Sequence, residues 1–229
     1  MTDTVDARLA PRLRLNAVAV LPAAVLAAVV LLVVVGAPPA LPLLAGAGGW
    51  LLALMLRQPV ALLAARRLPR DRAAAVVGWF SGPAEELVRV LLVLLLIGSV
   101  PDALWAGFGW AAIEVLLVAV NTFVIAGLVN RDDEKSREAR ELLAAQGMMT
   151  PHHPAWGFLE RVSAIALHLG FTLALFAAPW LVVLTIPVHS AVNMLAVRGV
   201  RTNLALTEAG LAVAGAAVLA GGLALALAG

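Results

Sequence analysis

Long apolar runs separated by short polar clusters dominate the chain, and seven of them, at about 16–36, 43–64, 74–99, 103–129, 157–177, 180–197 and 204–228, stand out. Each is close to the roughly 20 residues that a helix needs to cross a bilayer. The pattern predicts an all-α, polytopic transmembrane bundle of about seven helices, forming a single integral membrane domain over 1–229. The first run follows an arginine-bearing head, but it exceeds the roughly 7–15 residues of a signal-peptide core and is read as an anchor. One substantial loop, about 130–156, interrupts the series. Within it Glu134, Arg137 and Glu138 at helical spacing, followed by Gly147 as a stop, predict a short surface helix and then an irregular turn.

Composition agrees with this pattern. The chain is 62% hydrophobic and 13% charged, with a mean hydropathy of +0.98, outside the range of water-soluble domains. The absence of cysteine excludes a disulfide framework, a thiolate metal site and a thiol nucleophile. A pI near 10.3 accompanies a formal charge of only +2, and the arginines lie between apolar runs instead of on one face, so no nucleic-acid partner is expected. They report topology: thirteen of the sixteen Lys and Arg fall on one side of the alternating runs, and the other three, Arg57, Arg89 and Arg161, lie within them. The positive-inside rule then places the N-terminus in the cytoplasm and the C-terminus outside, in a multi-pass protein of the cell membrane whose first partner is the bilayer.

The polar residues inside the apolar runs carry the candidate chemistry. The stretch SGPAEELVRVLLVLLLIG, residues 81–98, holds Glu85, Glu86 and Arg89. Gly82-Pro83 reads as a helix start with an acid in its first turn, which accounts for Glu85 alone. Two acids near a bilayer centre cost roughly 2.5–3.5 kcal/mol each unless paired. Arg89, four residues after Glu85 and three after Glu86, can reach either, leaving one acid paired and the other facing a cavity. In ERVSAIALH, Arg161 and His168 are seven apart and share a face, while Glu160 and Arg161 lie near the boundary as a structural ion pair. In HSAVN, His189 and Asn193 are four apart; alone they would serve as interhelical hydrogen-bonding glue. Counted from the arginine-rich side at ~1.5 Å per residue, both acids and both histidines fall in one thin layer, with Asn193 one turn nearer the cytoplasm. Glu114, in GFGWAAIE, comes out deeper and shares a face with Asn121; both are supporting candidates. His152 and His153, between two prolines in the loop, form a solvated pair with no expected metal role.

Taken together, EELVR, ERVSAIALH and HSAVN, in that order on successive polar-bearing helices, resemble the YhfC-like family. That family sits with the CAAX-processing and bacteriocin-associated (CPBP) membrane peptidases and the PrsW-like proteases. The resemblance spans about residues 79–197. It implies an intramembrane endopeptidase, a hydrolase acting on a membrane-associated peptide or protein, in which a glutamate and a histidine activate water. By position, Glu85 and Glu86 would be the two acids, His168 the histidine of the second motif, and His189 with Asn193 the pair that steadies the oxyanion. The CAAX-type members have one more residue between the acids and the arginine, and a Phe where this chain has Ala164. These departures bear on the CAAX substrate more than on the catalytic layer.

No cofactor is required in the preferred form of this reading, because the acids and Arg89 neutralise one another. A metalloprotease form, with Zn²⁺ held by Glu85 or Glu86, His168 and His189, remains the alternative. Either form expects a Glu85 or Glu86 carboxylate within direct or one-water reach of His168, and His189 lining the same cavity. Two readings from other classes stand beside it: a non-catalytic scaffold whose polar centre holds the helices together, and a proton-coupled transporter, which would call for an internal repeat that the sequence does not show.

Overall fold

The computed structural model describes residues 8–129, 133–145 and 152–228, and among these there are helices and turns but no strand. In chain order the helices are α1 (Leu9–Ala19), α2 (Leu21–Val34), α3 (Ala40–Arg67), α4 (Arg70–Leu96), α5 (Val100–Leu128), α6 (Glu134–Ala145), α7 (Pro154–Ala177), α8 (Val182–Gly199) and α9 (Leu204–Ala228), with a single 3₁₀ turn, Pro179–Leu181, leading into α8. The first apolar run is α1 and α2 end to end, interrupted at Val20, where Pro22 lacks the amide hydrogen that would continue the ladder. Each of the other six predicted runs corresponds to one helix, whose ends fall within four residues of those predicted.

Six of the rods are long and apolar enough to cross a membrane. The seventh, α4, is equally long but carries Glu85, Glu86 and Arg89 as well as a charged first turn. The chain is a polytopic membrane protein, and its outer surface fits that solvent: Val33, Leu95, Leu206 and Leu227 all point outward, more than 70% exposed. The short loop helix exists as α6, started by Asp133, whose Oδ1 accepts hydrogen bonds from the amide and hydroxyl of Ser136 at 2.9 Å. The expected stop at Gly147 lies outside the described residues.

The interior is organised around α7, which buries Arg161, His168 and Thr172 together with eight other residues. Helix α5 supplies the other large buried surface, with Trp105 edge-on to Phe108 at 5.6 Å and Val115 beside them. In lipid the apolar effect no longer drives helices together, so close backbone approach over small residues has to do so. Helices α7 and α9 show this: a Cβ placed on Gly170 would sit 2.5 Å from the backbone of Val218, and one on Gly222 would sit 2.5 Å from the carbonyl oxygen of Gly170.

This packing makes a stability prediction. Gly170→Val should force α9 away from α7, cost about 1–3 kcal/mol and lower the thermal unfolding midpoint in detergent. Gly221→Ala, whose Cβ would meet nothing within 4 Å, should leave it unchanged or slightly raised.

Candidate functional site

Helix α4 brings the acids inward by a local irregularity. Gly82-Pro83 does not start a helix as the sequence suggests; α4 runs straight through it, with Pro83 in its interior. Proline there cannot donate to the carbonyl of Trp79, and that oxygen is satisfied from α8 instead, by the hydroxyl of Ser190 at 2.8 Å. Gly82 permits the contact, since a Cβ at that position would collide with Ser190 and with the backbone of Ile186. One turn away, Asn193 donates to Ser81 Oγ at 3.0 Å. Helices α4 and α8 are thus clamped where Glu85 and Glu86 follow.

Arg89 occupies the centre. Its Nε donates to Glu86 Oε1 at 3.1 Å, its Nη1 to Thr172 Oγ1 at 2.9 Å, and its Nη2 to Nδ1 of His168 at 2.9 Å, while the guanidinium stacks over Trp110 at 4.1 Å. All of these groups are buried. A guanidinium has only donors, so Nδ1 of His168 must accept and the ring proton must sit on Nε2. That Nε2 donates to Glu114 Oε2 at 2.8 Å. Both nitrogens of His168 are therefore engaged. Glu86 Oε1 also accepts from Nδ1 of His189 at 2.7 Å, which turns the Nε2 of His189 toward Glu85 Oε2, 3.6 Å away.

A cavity of about 130 Å³ opens between these helices, large enough for several waters. Its polar lining includes Glu85, Glu114, His168, His189 and Asn193. Glu86 lies behind it, fully buried. Glu85 is held by Arg57 at 3.3 Å and by the indole N–H of Trp110 at 3.2 Å. Glu114 is held by Arg161 at 2.9 Å, by His168, and by the indole N–H of Trp50 at 3.2 Å. Arg161 also pairs with Glu160.

The structure thus gathers all five expected central residues, but pairs them differently from the sequence reading. The acid that meets His168 directly is Glu114. It is not deeper than the layer, as residue counting suggests, but part of it. A carboxylate oxygen of Glu85 stands within 4.8 Å of a ring nitrogen of His168, a one-water separation. Asn121 does not take part: it is exposed, because seven residues along α5 preserve the face but move it about 10 Å along the axis. Arg57, Trp50, Trp110, Thr172 and Ser190 were not anticipated as site residues. Arg57 had a signal, being a charge inside an apolar run, and Trp110 stands four residues before Glu114 on the same face. Nothing in the sequence marks Thr172 or Ser190.

The donor set can be tested against a divalent metal. Oxygens of Glu85 and Glu114 and a nitrogen of His168 lie within 4.8 Å of one another. As bonded here the set does not fit: the Nε2 lone pair that a metal would need is replaced by the proton that Arg89 imposes, and both acids are already held by arginines. In the zinc set expected from the sequence, His189 keeps its Nε2 for the cavity, its Nδ1 being held by Glu86 as the second nitrogen of a metal-bound imidazole commonly is, and it is His168, bonded on both nitrogens, that does not fit.

Arg89→Ala should leave the buried Glu86 carboxylate, whose Oε2 has no partner among the described residues, with His189 alone as donor and without its countercharge, and His168 Nδ1 with no donor, at about 3–5 kcal/mol. Arg89→Lys should rescue little, since one ammonium cannot reproduce the planar fork. Folded yield and thermal unfolding in detergent report both effects; wild-type stability in the alanine variant would show that the pairing contributes nothing. The chain matches no family model, no curated protein and no solved structure. The likeness to the YhfC-like peptidases accordingly rests on its three sequence motifs alone.

Proposed function

We propose that the chain is an intramembrane endopeptidase that hydrolyses a peptide bond of a membrane-associated substrate with water activated in the Glu85 cavity. The observation that carries this reading is a charge imbalance. Four carboxylates, Glu85, Glu86, Glu114 and Glu160, face three guanidiniums, Arg57, Arg89 and Arg161, in one connected cluster. With both imidazoles neutral the cluster carries one negative charge in excess, and a single proton closes it. His168 is locked on both nitrogens, so the place for that proton is between Glu85 and the Nε2 of His189.

The division of labour follows. Glu86 holds Nδ1–H of His189 and so fixes the tautomer that points Nε2 into the cavity. Glu85 accepts a proton from water as the water oxygen attacks the carbonyl carbon. Asn193, with one amide hydrogen on Ser81 and the other available to the cavity, donates to the oxyanion together with Arg57. When the C–N bond breaks, the leaving nitrogen takes the proton held between Glu85 and His189. Glu114 and His168 are positioning residues that hold the opposite wall. The charge pattern of the sequence would place the cavity toward the cytoplasmic side of the cell membrane.

A specific observation favours the scaffold reading as a rival: nearly every charge in the cluster has a bonded partner, which is what a purely structural core would need. One experiment separates the two. The purified chain is reconstituted in liposomes with a pool of membrane peptides, and new termini are identified by mass spectrometry. Glu85→Gln should reduce cleavage by about 10²–10⁴ and Asn193→Ala by about 10²–10³, with unfolding midpoints near wild type. His189→Ala should act like Glu85→Gln. Cleavage that survives in Glu85→Gln, or that never exceeds protein-free liposomes, removes the peptidase reading in favour of the scaffold.

A chelator arm completes the test. Turnover should be unchanged by 1,10-phenanthroline. Loss of turnover that Zn²⁺ restores would mean that the His168 proton is displaced and a metal carries the reaction.

A further inference from the structure

A second and larger cavity, of about 410 Å³, lies beside the first at the arginine-rich end of the bundle. It is formed where α1, α5, the start of α7, the end of α8 and the start of α9 converge, and Glu160, Ala196 and Leu211 line both cavities. Its size falls in the range of small-molecule sites, and its walls are mostly apolar, with Leu13, Val118 and Trp156 among them. The loop over it is pinned to α1, whose Asn16 donates to the carbonyl of His152 at 3.3 Å.

Glu208 supplies an independent sign of a ligand. It lines this cavity from α9, is only 5% exposed, and its Oε2 has no hydrogen-bond partner among the described residues. The terminal nitrogens of the nearby Arg161 are spent on Glu114 and Glu160, and its Nε, also without a hydrogen-bond partner among the described residues, makes no bond to Glu208. An acid in such surroundings is costly unless a cation or a strong donor meets it. Among the described residues Glu85, Glu86, Glu114 and Glu160 each have one, and Glu208 does not.

We propose that this cavity binds a small organic ammonium: a primary amine carried on an apolar body, with the nitrogen held by Glu208 and the body against the apolar walls. An ammonium on a flexible apolar chain satisfies both features of the cavity; Arg201, His152 and His153 also line it but are exposed, so the buried charge that a ligand would meet is that of Glu208. The assignment is independent of the hydrolase reading, because Glu208 lies outside the Glu85 cavity.

The test uses 4-phenylbutylamine as the probe and 4-phenylbutanol as its uncharged counterpart. Binding is measured by isothermal titration calorimetry on the full chain in nonionic micelles, with protein-free micelles subtracted. The amine should bind at least tenfold more tightly than the alcohol. Glu208→Gln should remove that preference while leaving the alcohol unaffected, and Thr122→Phe, which fills the cavity from α5, should abolish binding of both. Equal binding of amine and alcohol to the native chain would overturn the proposal, as would a preference that survives Glu208→Gln or an amine that still binds Thr122→Phe. Should Glu208→Gln fail to fold, the amine-to-alcohol ratio and the Thr122→Phe variant decide the matter without it.

Discussion

Everything in the interior depends on one constraint: a guanidinium placed where water cannot solvate it must spend its donors on the protein. Arg89 does this with an acid from its own helix, a hydroxyl and an imidazole from α7, and the face of an indole from α5. Coulombic attraction in such a medium is strong, but so is desolvation, and the balance is favourable only when geometry is complete. The arginine therefore acts as a register pin. Helices α4, α5 and α7 can meet in few other arrangements without stranding a charge.

The pin also makes two similar histidines different. By donating to Nδ1 of His168, Arg89 turns that ring into a bridge toward Glu114; by donating to Glu86, it helps to hold the acid that orients His189. One imidazole becomes part of the wall and the other keeps a nitrogen for the cavity. Composition alone would treat them as equivalent. The distinction arises from which nitrogen meets a group that can only donate.

The fold was legible because a bilayer leaves backbone groups no partner but their own helix, so apolar length translates directly into rods. The layer of Glu85, Glu86, His168 and His189 was legible for a related reason, since ionisable residues in lipid must find one another and depth can be counted along a helix. Counting failed for Glu114 because helices tilt and start at different heights, so residues with different counts can still touch. It failed for Pro83 because a proline at a plausible first position is locally indistinguishable from one whose lost hydrogen bond is replaced from another helix, here by Ser190. Thr172 and Ser190 are ordinary residues by type, and only tertiary contact reveals them. Arg57 was visible as a charge in an apolar run, but its partner Glu85 lies on the next helix, where no spacing rule reaches.

The order of partners along the chain bears on how the protein enters the membrane. Glu86 meets Arg89 within its own helix, and Glu85 meets Arg57, which has already been synthesised on α3. These acids can be neutralised as soon as α4 leaves the ribosome and inserts. Glu114 cannot: Arg161 and His168 follow it by 47 and 54 residues, and until α7 arrives the available partner is the indole of Trp50. During synthesis α5 thus stands in the bilayer with an acid that an indole meets but no countercharge does. The arrival of α7 ends the interval in which the half-made protein is least able to tolerate lipid, before α8 and α9 complete the bundle.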